Sequence, residues 1–255
     1  MTQTLTLTTE LLAGDIPCLA AAQTGLPENA PLVLVLHGLG SRKEKMLTAL
    51  YEFASAGFRA VALDARFHGE RPDAAERDTR LSADYFRTTS EMIEGTAQDI
   101  SRLIDALSHR CAPQRIGMHG ISLGGYVTFA ALLADPRLTA ASVALGSPDW
   151  LGPLSRFGLG PGHPVWERAA TLNPLNLLPV ALPPRALLML HGSADALVPP
   201  DGVIALEEKL RPLYASFPER LNLHLYPGLG HDYLDDMLTR TCAWFRKFLV
   251  AAALA

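Results

Sequence analysis

The chain has few cysteines and no excess of positive charge, and both features narrow its possible functions. Its three cysteines, at positions 18, 111 and 242, form no C-x-x-C pair. An odd, widely spaced set is typical neither of a disulfide framework nor of a zinc site, and it favours a reducing compartment. Lys and Arg number 22 against 26 Asp and Glu. This balance predicts no basic surface for nucleic acid or for an anionic membrane.

Signals of secretion, membrane insertion and disorder are also missing. The first ten residues contain neither a basic segment nor an apolar run, so we expect no secretory signal and predict a cytoplasmic location. Residues 116–134 contain no Asp, Glu, Lys or Arg, but four glycines interrupt them, unlike a membrane helix. Apolar residues make up 49% of the 255 residues and charged residues 19%, which predicts a folded chain with a large core.

The sequence alternates between short apolar runs and helical patterns. Six runs without proline predict buried, mostly parallel strands, at 32–36, 59–63, 115–119, 140–145, 186–190 and 221–226. Helical periodicity occurs at 46–54, 92–107, 123–134, 204–210 and 234–249. Two N-terminal segments, 5–9 and 16–22, predict an antiparallel edge. The pattern predicts one three-layer α/β domain over residues 1–255, with a mostly parallel sheet of about eight strands.

Two stretches interrupt this alternation. Residues 70–90 are polar and charged, which predicts an exposed loop with a short helix. Residues 146–184 contain eight prolines and five glycines among large apolar side chains. Because an apolar insertion of this length needs a surface to cover, we interpret it as a small cap over a cleft. The alternative is an ordinary excursion packed on the core. The candidate substrate pocket within it comprises Trp150, Leu154, Phe157 and Trp166.

A glycine-rich segment, Gly120-Ile121-Ser122-Leu123-Gly124-Gly125, joins a predicted buried strand to a predicted helix. Its glycines permit a sharp turn that would project the Ser122 hydroxyl out of the sheet. The N-terminus of the helix lies beside that hydroxyl, and its N–H groups and dipole favour negative charge. We therefore predict that Ser122 is a nucleophile. The alternative for Ser122 is a helix cap in a glycine-rich turn.

A serine nucleophile needs a base, and the base needs an orienting acid. The glycine-rich motif predicts the chain order Ser, acid, His. Asp195 follows one predicted strand and His231 follows the last one. Because the carboxyl ends of parallel strands meet at one edge of a sheet, we expect Ser122, Asp195 and His231 to lie together. Asp149, which follows the preceding strand, is the alternative acid.

Acyl transfer also requires N–H donors for the negative oxygen that develops. We predict the backbone N–H of Leu123, next to the nucleophile, and that of Leu39, in the turn His37-Gly38-Leu39-Gly40. His37 and His68 are expected to order the loops that contain them. The eight histidines show no metal-ligand spacing, so we predict no metal and no other cofactor.

These motifs resemble the α/β-hydrolase superfamily from about Leu32 to the C-terminal helix. The H-G-x-G turn, the G-x-S-x-G elbow, the H-G-x-x-D segment and the final G-H occur in the order found in that family. Segments 37–44 and 64–71 resemble the esterase branch that includes dienelactone-hydrolase-like and prolyl-oligopeptidase-like proteins. Dienelactone hydrolases have Cys where this chain has Ser122. The resemblance implies the three-layer α/β-hydrolase fold and a carboxylic-ester hydrolase.

We predict a serine hydrolase that acts on small-molecule esters of short-to-medium acyl chains. The same residues would serve an aminopeptidase-like amidase or a thioesterase. A thioesterase for acyl-CoA needs cations at the rim of the cleft, for which Arg42, Lys43 and Arg71 are candidates; Arg42 and Lys43 are otherwise expected to be solvated. A binding module on a hydrolase fold is the alternative from a different class. The sequence leaves open a monomer or a homodimer.

Overall fold

An eight-stranded sheet forms the centre of the computed structural model, which describes residues 4–250. Its strands are β1 (Leu5–Leu12), β2 (Ile16–Gln23), β3 (Leu32–Leu36), β4 (Arg59–Leu63), β5 (Ile116–Ile121), β6 (Leu138–Ala144), β7 (Ala186–Gly192) and β8 (Leu221–Tyr226). They are arranged in the order β1-β2-β4-β3-β5-β6-β7-β8. Strand β2 is antiparallel to β1 and β4, and the other neighbours are parallel.

The burial of the strands explains their position in the sheet. Every residue of β3 and β7 is buried, because these strands have a neighbouring strand on each side and helices on both faces of the sheet. Strand β1 at the edge is largely exposed. All six apolar runs form strands, with ends within two residues of those predicted, and the antiparallel N-terminal edge is confirmed.

Nine helices within the described part of the chain flank the sheet. They are α1 (Leu47–Ser55), α2 (Arg77–Ala83), α3 (Tyr85–Arg110), α4 (Leu123–Ala134), α5 (Leu151–Arg156), α6 (Pro164–Leu172), α7 (Pro174–Ala181), α8 (Asp201–Leu210) and α9 (Asp235–Leu249). Helices α1 and α9 cover one face of the sheet, and α3, α4, α7 and α8 lie on the other. The predicted three-layer α/β fold is confirmed.

Two further features concern the burial of the cysteines and the length of the helices. The three cysteines are free and buried, as expected of small apolar residues. Among the helices of residues 4–250, none has both the length and the apolar character needed to cross a membrane.

Over residues 70–90 we predict an exposed loop with a short helix; α2 is that short helix, but the loop prediction is wrong for residues 85–90, which belong to α3. Helix α2 occupies residues 77–83, and the 26-residue helix α3 begins at Tyr85, where the Asp84 carboxylate accepts a hydrogen bond from the Arg87 N–H at 3.0 Å. The polar residues lie on exposed helix surfaces and form ion pairs four residues apart, such as Arg87 with Glu91. Opposite charges four residues apart stabilise helices, so the polarity of this segment does not indicate a loop.

The segment 146–184 forms three short helices, α5, α6 and α7, between β6 and β7. Helix α7 packs on α4 and α8, whereas α6 lies against α3 and α5. The Asp149 carboxylate begins α5 by accepting hydrogen bonds from the N–H groups of Leu151 and Gly152, at 3.0 and 3.1 Å. Asp149, the alternative acid, is therefore engaged at a helix start.

Candidate active site

Ser122 lies at a sharp turn between β5 and α4. Its backbone angles, φ 54° and ψ −115°, are costly for a residue with a side chain. The turn brings the strand and the helix so close that a Cβ at Gly120 would overlap the carbonyl oxygen of Gly124, and one at Gly124 would overlap that of Leu36. Glycine is required at both positions, because only a residue without a side chain fits there.

A chain of hydrogen bonds links Ser122, His231 and Asp195. The Oγ atom of Ser122 lies 2.9 Å from Nε2 of His231, and Nδ1 of His231 lies 2.7 Å from Oδ2 of Asp195. Because a carboxylate only accepts, Nδ1 carries the hydrogen and Nε2 is left to accept the hydroxyl proton of Ser122. The three residues follow β5, β8 and β7, so the carboxyl edge of the sheet brings them together.

Asp195 is held in a fixed orientation beneath His231. Its side chain has no exposed surface, and Oδ1 accepts the N–H groups of Leu197 and Val198 at 3.0 and 2.9 Å. The Nε2 atom of His191 lies 3.4 Å from Oδ2, but it donates to the Val198 carbonyl at 2.7 Å. Burial lowers the pKa of His191, so this imidazole stays neutral and leaves the carboxylate to His231.

The loop that carries His231 packs tightly on the loop that carries Asp195. The Ala194 N–H donates to the Leu229 carbonyl at 2.9 Å, and the Gly228 N–H donates to the Ser193 hydroxyl at 2.9 Å. These two bonds fix the separation of the two loops on the N-terminal side of His231.

The two segments that contain the predicted oxyanion donors lie beside Ser122. Leu39 is in the turn after β3, residues 37–40, here called the oxyanion turn after this prediction. The neighbouring Gly38 is so close that a Cβ there would meet the Ser122 Cβ at 3.4 Å. Leu123 is the first residue of α4, and helices leave the N–H groups of their first turn without intrahelical partners. The backbone of both segments therefore approaches Ser122.

A cluster of charges around the buried side chains of Lys43 and Asp64, here called the charged support, lies behind the turn that contains Leu39. It consists of Lys43, Glu44, Asp64 and Glu70. The Nζ atom of Lys43 lies 3.1 Å from Asp64, 2.6 Å from Glu70 and 2.8 Å from Glu44. The expectation that Lys43 is solvated or available to substrate is wrong, because its side chain has no exposed surface and its three donors have carboxylate partners. Burial opposes the charge, but these hydrogen bonds raise the pKa of Lys43 above its usual value.

Asp64 connects the two segments of the charged support. Its Oδ1 accepts the Lys43 N–H and its Oδ2 accepts the Glu70 N–H, each at 2.9 Å. At Gly69, with a φ of 56°, a Cβ would overlap this carboxylate. The carboxylate therefore joins the oxyanion turn to the loop after β4.

His68 joins the same two segments. Its Nδ1 lies 2.8 Å from the Arg66 carbonyl, and its Nε2 accepts the Gly40 N–H at 3.0 Å. Because a carbonyl only accepts, Nδ1 carries the hydrogen and the ring is neutral. Burial lowers the pKa of His68, which keeps Nε2 free to hold the oxyanion turn.

His37 makes a similar contact at the start of the turn. Its Nδ1 donates to the Gly38 carbonyl at 2.8 Å and its Nε2 accepts the Ala65 N–H at 3.2 Å. Burial lowers the pKa of His37 to about 4. Both histidines thus order the loops that contain them, as the sequence predicts.

Of the three candidate rim cations, only Arg42 has an exposed side chain, with 62% of its surface accessible. Arg71 is buried, and its guanidinium donates to Asp99 at 2.6 Å and to the Asp64 carbonyl at 3.1 Å. The prediction that Lys43 and Arg71 lie at a rim is wrong, since internal carboxylates bind both. The buried carboxylates that bind Lys43 and Arg71 come from other segments of the chain, so the local sequence does not show that the two cations are buried.

The four candidate pocket residues have different environments. Trp150 and Leu154 are buried and belong to the core, and Trp166 is partly buried against it. Phe157 is 75% exposed, and its ring meets Phe86 of α3 edge-on at 5.2 Å. Only Phe157 and Trp166 therefore have surface available for contact with another molecule.

Comparison with known proteins connects this geometry to a family. The family model described as "Serine aminopeptidase, S33" matches residues 27–161. This region contains the oxyanion turn, the charged support and the elbow of Ser122. It ends before Asp195 and His231, which lie in the C-terminal part of the chain.

Three individual proteins are similar over most of the chain. The putative esterase YitV of Bacillus subtilis is 29% identical over 236 residues, covering 86% of this chain and 89% of that protein. The esterase YjfP of Escherichia coli is 26% identical, covering 92% and 96%. The crystal structure of TT1662 from Thermus thermophilus is 27% identical and matches with a TM-score of 0.77, covering 98% of this chain and all of that one.

Proposed function

The chain belongs to the serine aminopeptidase S33 family, and on that premise we propose that it is a serine hydrolase that cleaves carboxylic esters through an acyl-enzyme. The two similar bacterial proteins described as esterases support the ester class. The observation that carries the proposal is the hydrogen-bonded chain from Ser122 through His231 to Asp195, with distances of 2.9 and 2.7 Å.

In the first half of the reaction, the Ser122 Oγ attacks the acyl carbonyl carbon while its proton moves to Nε2 of His231. Asp195 accepts the Nδ1–H of His231 and stabilises the imidazolium that forms. The tetrahedral intermediate collapses, the bond between carbon and alcohol oxygen breaks, and the alcohol leaves with the proton from His231. The acyl group is then bonded to Ser122.

In the second half, water attacks the acyl carbon and gives a proton to His231. The carboxylic acid leaves when the proton returns to the Ser122 oxygen. In both halves the N–H groups of Leu39 and Leu123 stabilise the negative oxygen. The close approach of Gly38 to Ser122 and the position of Leu123 at a helix N-terminus support these two donors.

For the substrate we propose a small ester of short-to-medium acyl chain, bound under segment 146–184 as a cap. The short helices of this segment, with Phe157 and Trp166 on their surface, support an apolar site of limited length. An acyl-CoA substrate receives little support, because internal carboxylates bind Lys43 and Arg71 and leave Arg42 as the exposed cation of the three candidates.

The experiment that tests the proposal is hydrolysis of p-nitrophenyl esters from acetate to laurate by the wild-type protein and by Ser122→Ala. We expect wild-type rates that decline beyond medium chains and a variant that loses at least about 10³-fold in kcat, since no other nucleophile replaces the Ser122 oxygen. A fluorophosphonate probe should label the wild type at Ser122 and leave the variant unlabelled.

The outcomes separate the alternatives. Hydrolysis retained by Ser122→Ala would contradict the mechanism. Labelling of the wild type without turnover of any ester would contradict the ester class and favour a peptide or thioester. Absence of both labelling and turnover would favour a binding module on a hydrolase fold.

A further inference from the structure

We infer that Tyr233 is a positioning residue for the catalytic base: its hydrogen bond to buried His119 holds the C-terminal side of the His231 loop in the orientation in which Nε2 faces Ser122. The inference rests on the proposed function and extends it to two residues that carry no part of the chemistry. Tyr233 follows His231 by two residues, and His119 precedes Ser122 by three on β5.

The contact joins parts of the chain that are 114 residues apart. The Tyr233 hydroxyl lies 3.0 Å from Nε2 of His119, and the two ring centroids are 5.9 Å apart. Nδ1 of His119 lies 3.1 Å from the carbonyl of Ser142 on β6. Since that carbonyl only accepts, Nδ1 carries the hydrogen, Nε2 is an acceptor, and the Tyr233 hydroxyl is the donor.

The environment keeps both partners uncharged. His119 has no exposed surface, and burial lowers its pKa to about 4, so that Nε2 remains an acceptor well below neutral pH. Burial raises the pKa of Tyr233, so its hydroxyl keeps its proton. The nearby Ser142 hydroxyl binds the Thr241 hydroxyl of α9 at 2.7 Å. We call these four residues, His119, Ser142, Tyr233 and Thr241, the neutral support.

The hydrogen bond between Tyr233 and His119 affects catalysis because it holds the loop that carries His231. On the N-terminal side of His231, the Leu229 carbonyl is fixed by the Ala194 N–H at 2.9 Å. On the C-terminal side, the side chain of Tyr233 reaches β5, the strand that leads into Ser122. The loop is thus tied on one side to the acid and on the other to the strand of the nucleophile. Loss of the second tie leaves the distance from His231 to Ser122 less well defined.

The test is Tyr233→Phe, which removes the hydroxyl and keeps the ring. We expect kcat for a p-nitrophenyl ester to fall about tenfold or more with KM within about twofold, because a misplaced base slows proton transfer without altering substrate binding. The rate of fluorophosphonate labelling should fall by the same factor, since it also needs the activated Ser122 oxygen.

Tyr214→Phe is the matched control. Tyr214 is buried where Tyr233 is half-buried, and its hydroxyl donates to the Arg185 carbonyl at 2.6 Å, away from the three site residues. This variant loses the same kind of hydrogen bond, so we expect a decrease in Tm with an unchanged kcat. If Tyr233→Phe retains the kcat of the wild type, or loses no more than Tyr214→Phe, the inference is overturned.

A second variant approaches the bond from its other partner. His119→Asn keeps an amide donor near the Ser142 carbonyl and removes the acceptor of the Tyr233 hydroxyl. We expect His119→Asn to have the same kcat as Tyr233→Phe. The double variant should show no further loss, because both changes remove the same interaction. Additive losses in the double variant would contradict a shared role.

A direct readout separates this inference from the proposed function. The Nδ1 proton of His231, bonded to Asp195 at 2.7 Å, should give a low-field proton NMR signal that is absent in His231→Gln. We expect the signal to be lost or shifted in Tyr233→Phe and retained in Tyr214→Phe. An unchanged signal in Tyr233→Phe overturns the inference, whereas a wild type that hydrolyses no ester contradicts only the proposed function.

Discussion

The charged support and the neutral support lie beneath different parts of the same site and differ in how they are stabilised. Lys43 and its three carboxylates hold the turn that contains Leu39, whereas the uncharged pair of Tyr233 and His119 holds the loop of His231. The side chains of Lys43 and Asp64 in the charged support and of His119 in the neutral support have no exposed surface. A buried charge needs every one of its partners, but a buried neutral donor and acceptor need only each other.

Because one support is charged and the other is neutral, the two halves of the site should respond differently to substitution. Removing one partner of a buried ion pair leaves an uncompensated charge, so the charged support should control the stability of the fold. Removing one partner of a neutral pair costs less, so the neutral support should affect catalysis before it affects folding. Substitutions in and beside each support test this division.

The largest expected effect is on stability, from Lys43→Met in the charged support. This change leaves the Asp64 carboxylate buried beside Glu44 and Glu70 without a cation, and we expect the free energy of unfolding to fall by about 3–5 kcal/mol in urea denaturation. Exposed Lys45 in the same segment provides the control, and Lys45→Met should change stability by less than about 0.5 kcal/mol. Equal effects of the two changes would remove the distinction between the two supports.

The pH dependence of stability tests two buried neutral histidines, His37 beside Asp64 of the charged support and His119 within the neutral support. Burial lowers the pKa of His37 and of His119 to about 4, below the ordinary value of 6.5, so the unfolded chain binds more protons between these pH values. The contribution of these two histidines to the free energy of unfolding is fully present above pH 6.5. It is lost as the pH falls towards 4, by on the order of 3 kcal/mol for each histidine. Urea denaturation from pH 7.5 to 4 measures it, and His119→Asn should flatten the curve. An unchanged slope in that variant would show that folding does not lower the pKa of His119.

The smallest expected effect compares the turn that contains Leu39 with the loop of His231 through the same substitution. His68→Asn keeps an amide donor near the Arg66 carbonyl and removes the acceptor of the Gly40 N–H, as His119→Asn does for Tyr233. We expect kcat/KM for a p-nitrophenyl ester to fall about tenfold, less than the 10²–10³ typical of a lost oxyanion donor, because the N–H of Leu39 is displaced and not removed. Steady-state kinetics measures this. If kcat/KM is unchanged, the position of the turn does not depend on His68.

Much of the site could be predicted from sequence because it depends on local spacing and on chain order. The glycines around Ser122 specify a turn that only residues without a Cβ can form, and Asp195 and His231 each directly follow a buried strand. Parallel strands then place the ends of β5, β7 and β8 at one edge without further information.

The supports could not be predicted in the same way. Lys43 has the sequence context of a solvated helix start, and only the approach of Asp64 and Glu70 from another loop shows that it is buried. His119 gave a partial signal, since a polar residue within a buried strand needs a partner. Its partner, Tyr233, is 114 residues away, beyond the reach of any local pattern.

The layered α/β architecture, the elbow and the order of the three site residues follow from the sequence. Hydrophobic periodicity and the glycines around Ser122 specify structure over only a few neighbouring residues. Only the tertiary structure decided which polar groups are buried together beneath that site. Burial and pairing depend on segments that meet across the sheet, and the free energy of a buried polar group is set by those neighbours and not by its position in the chain.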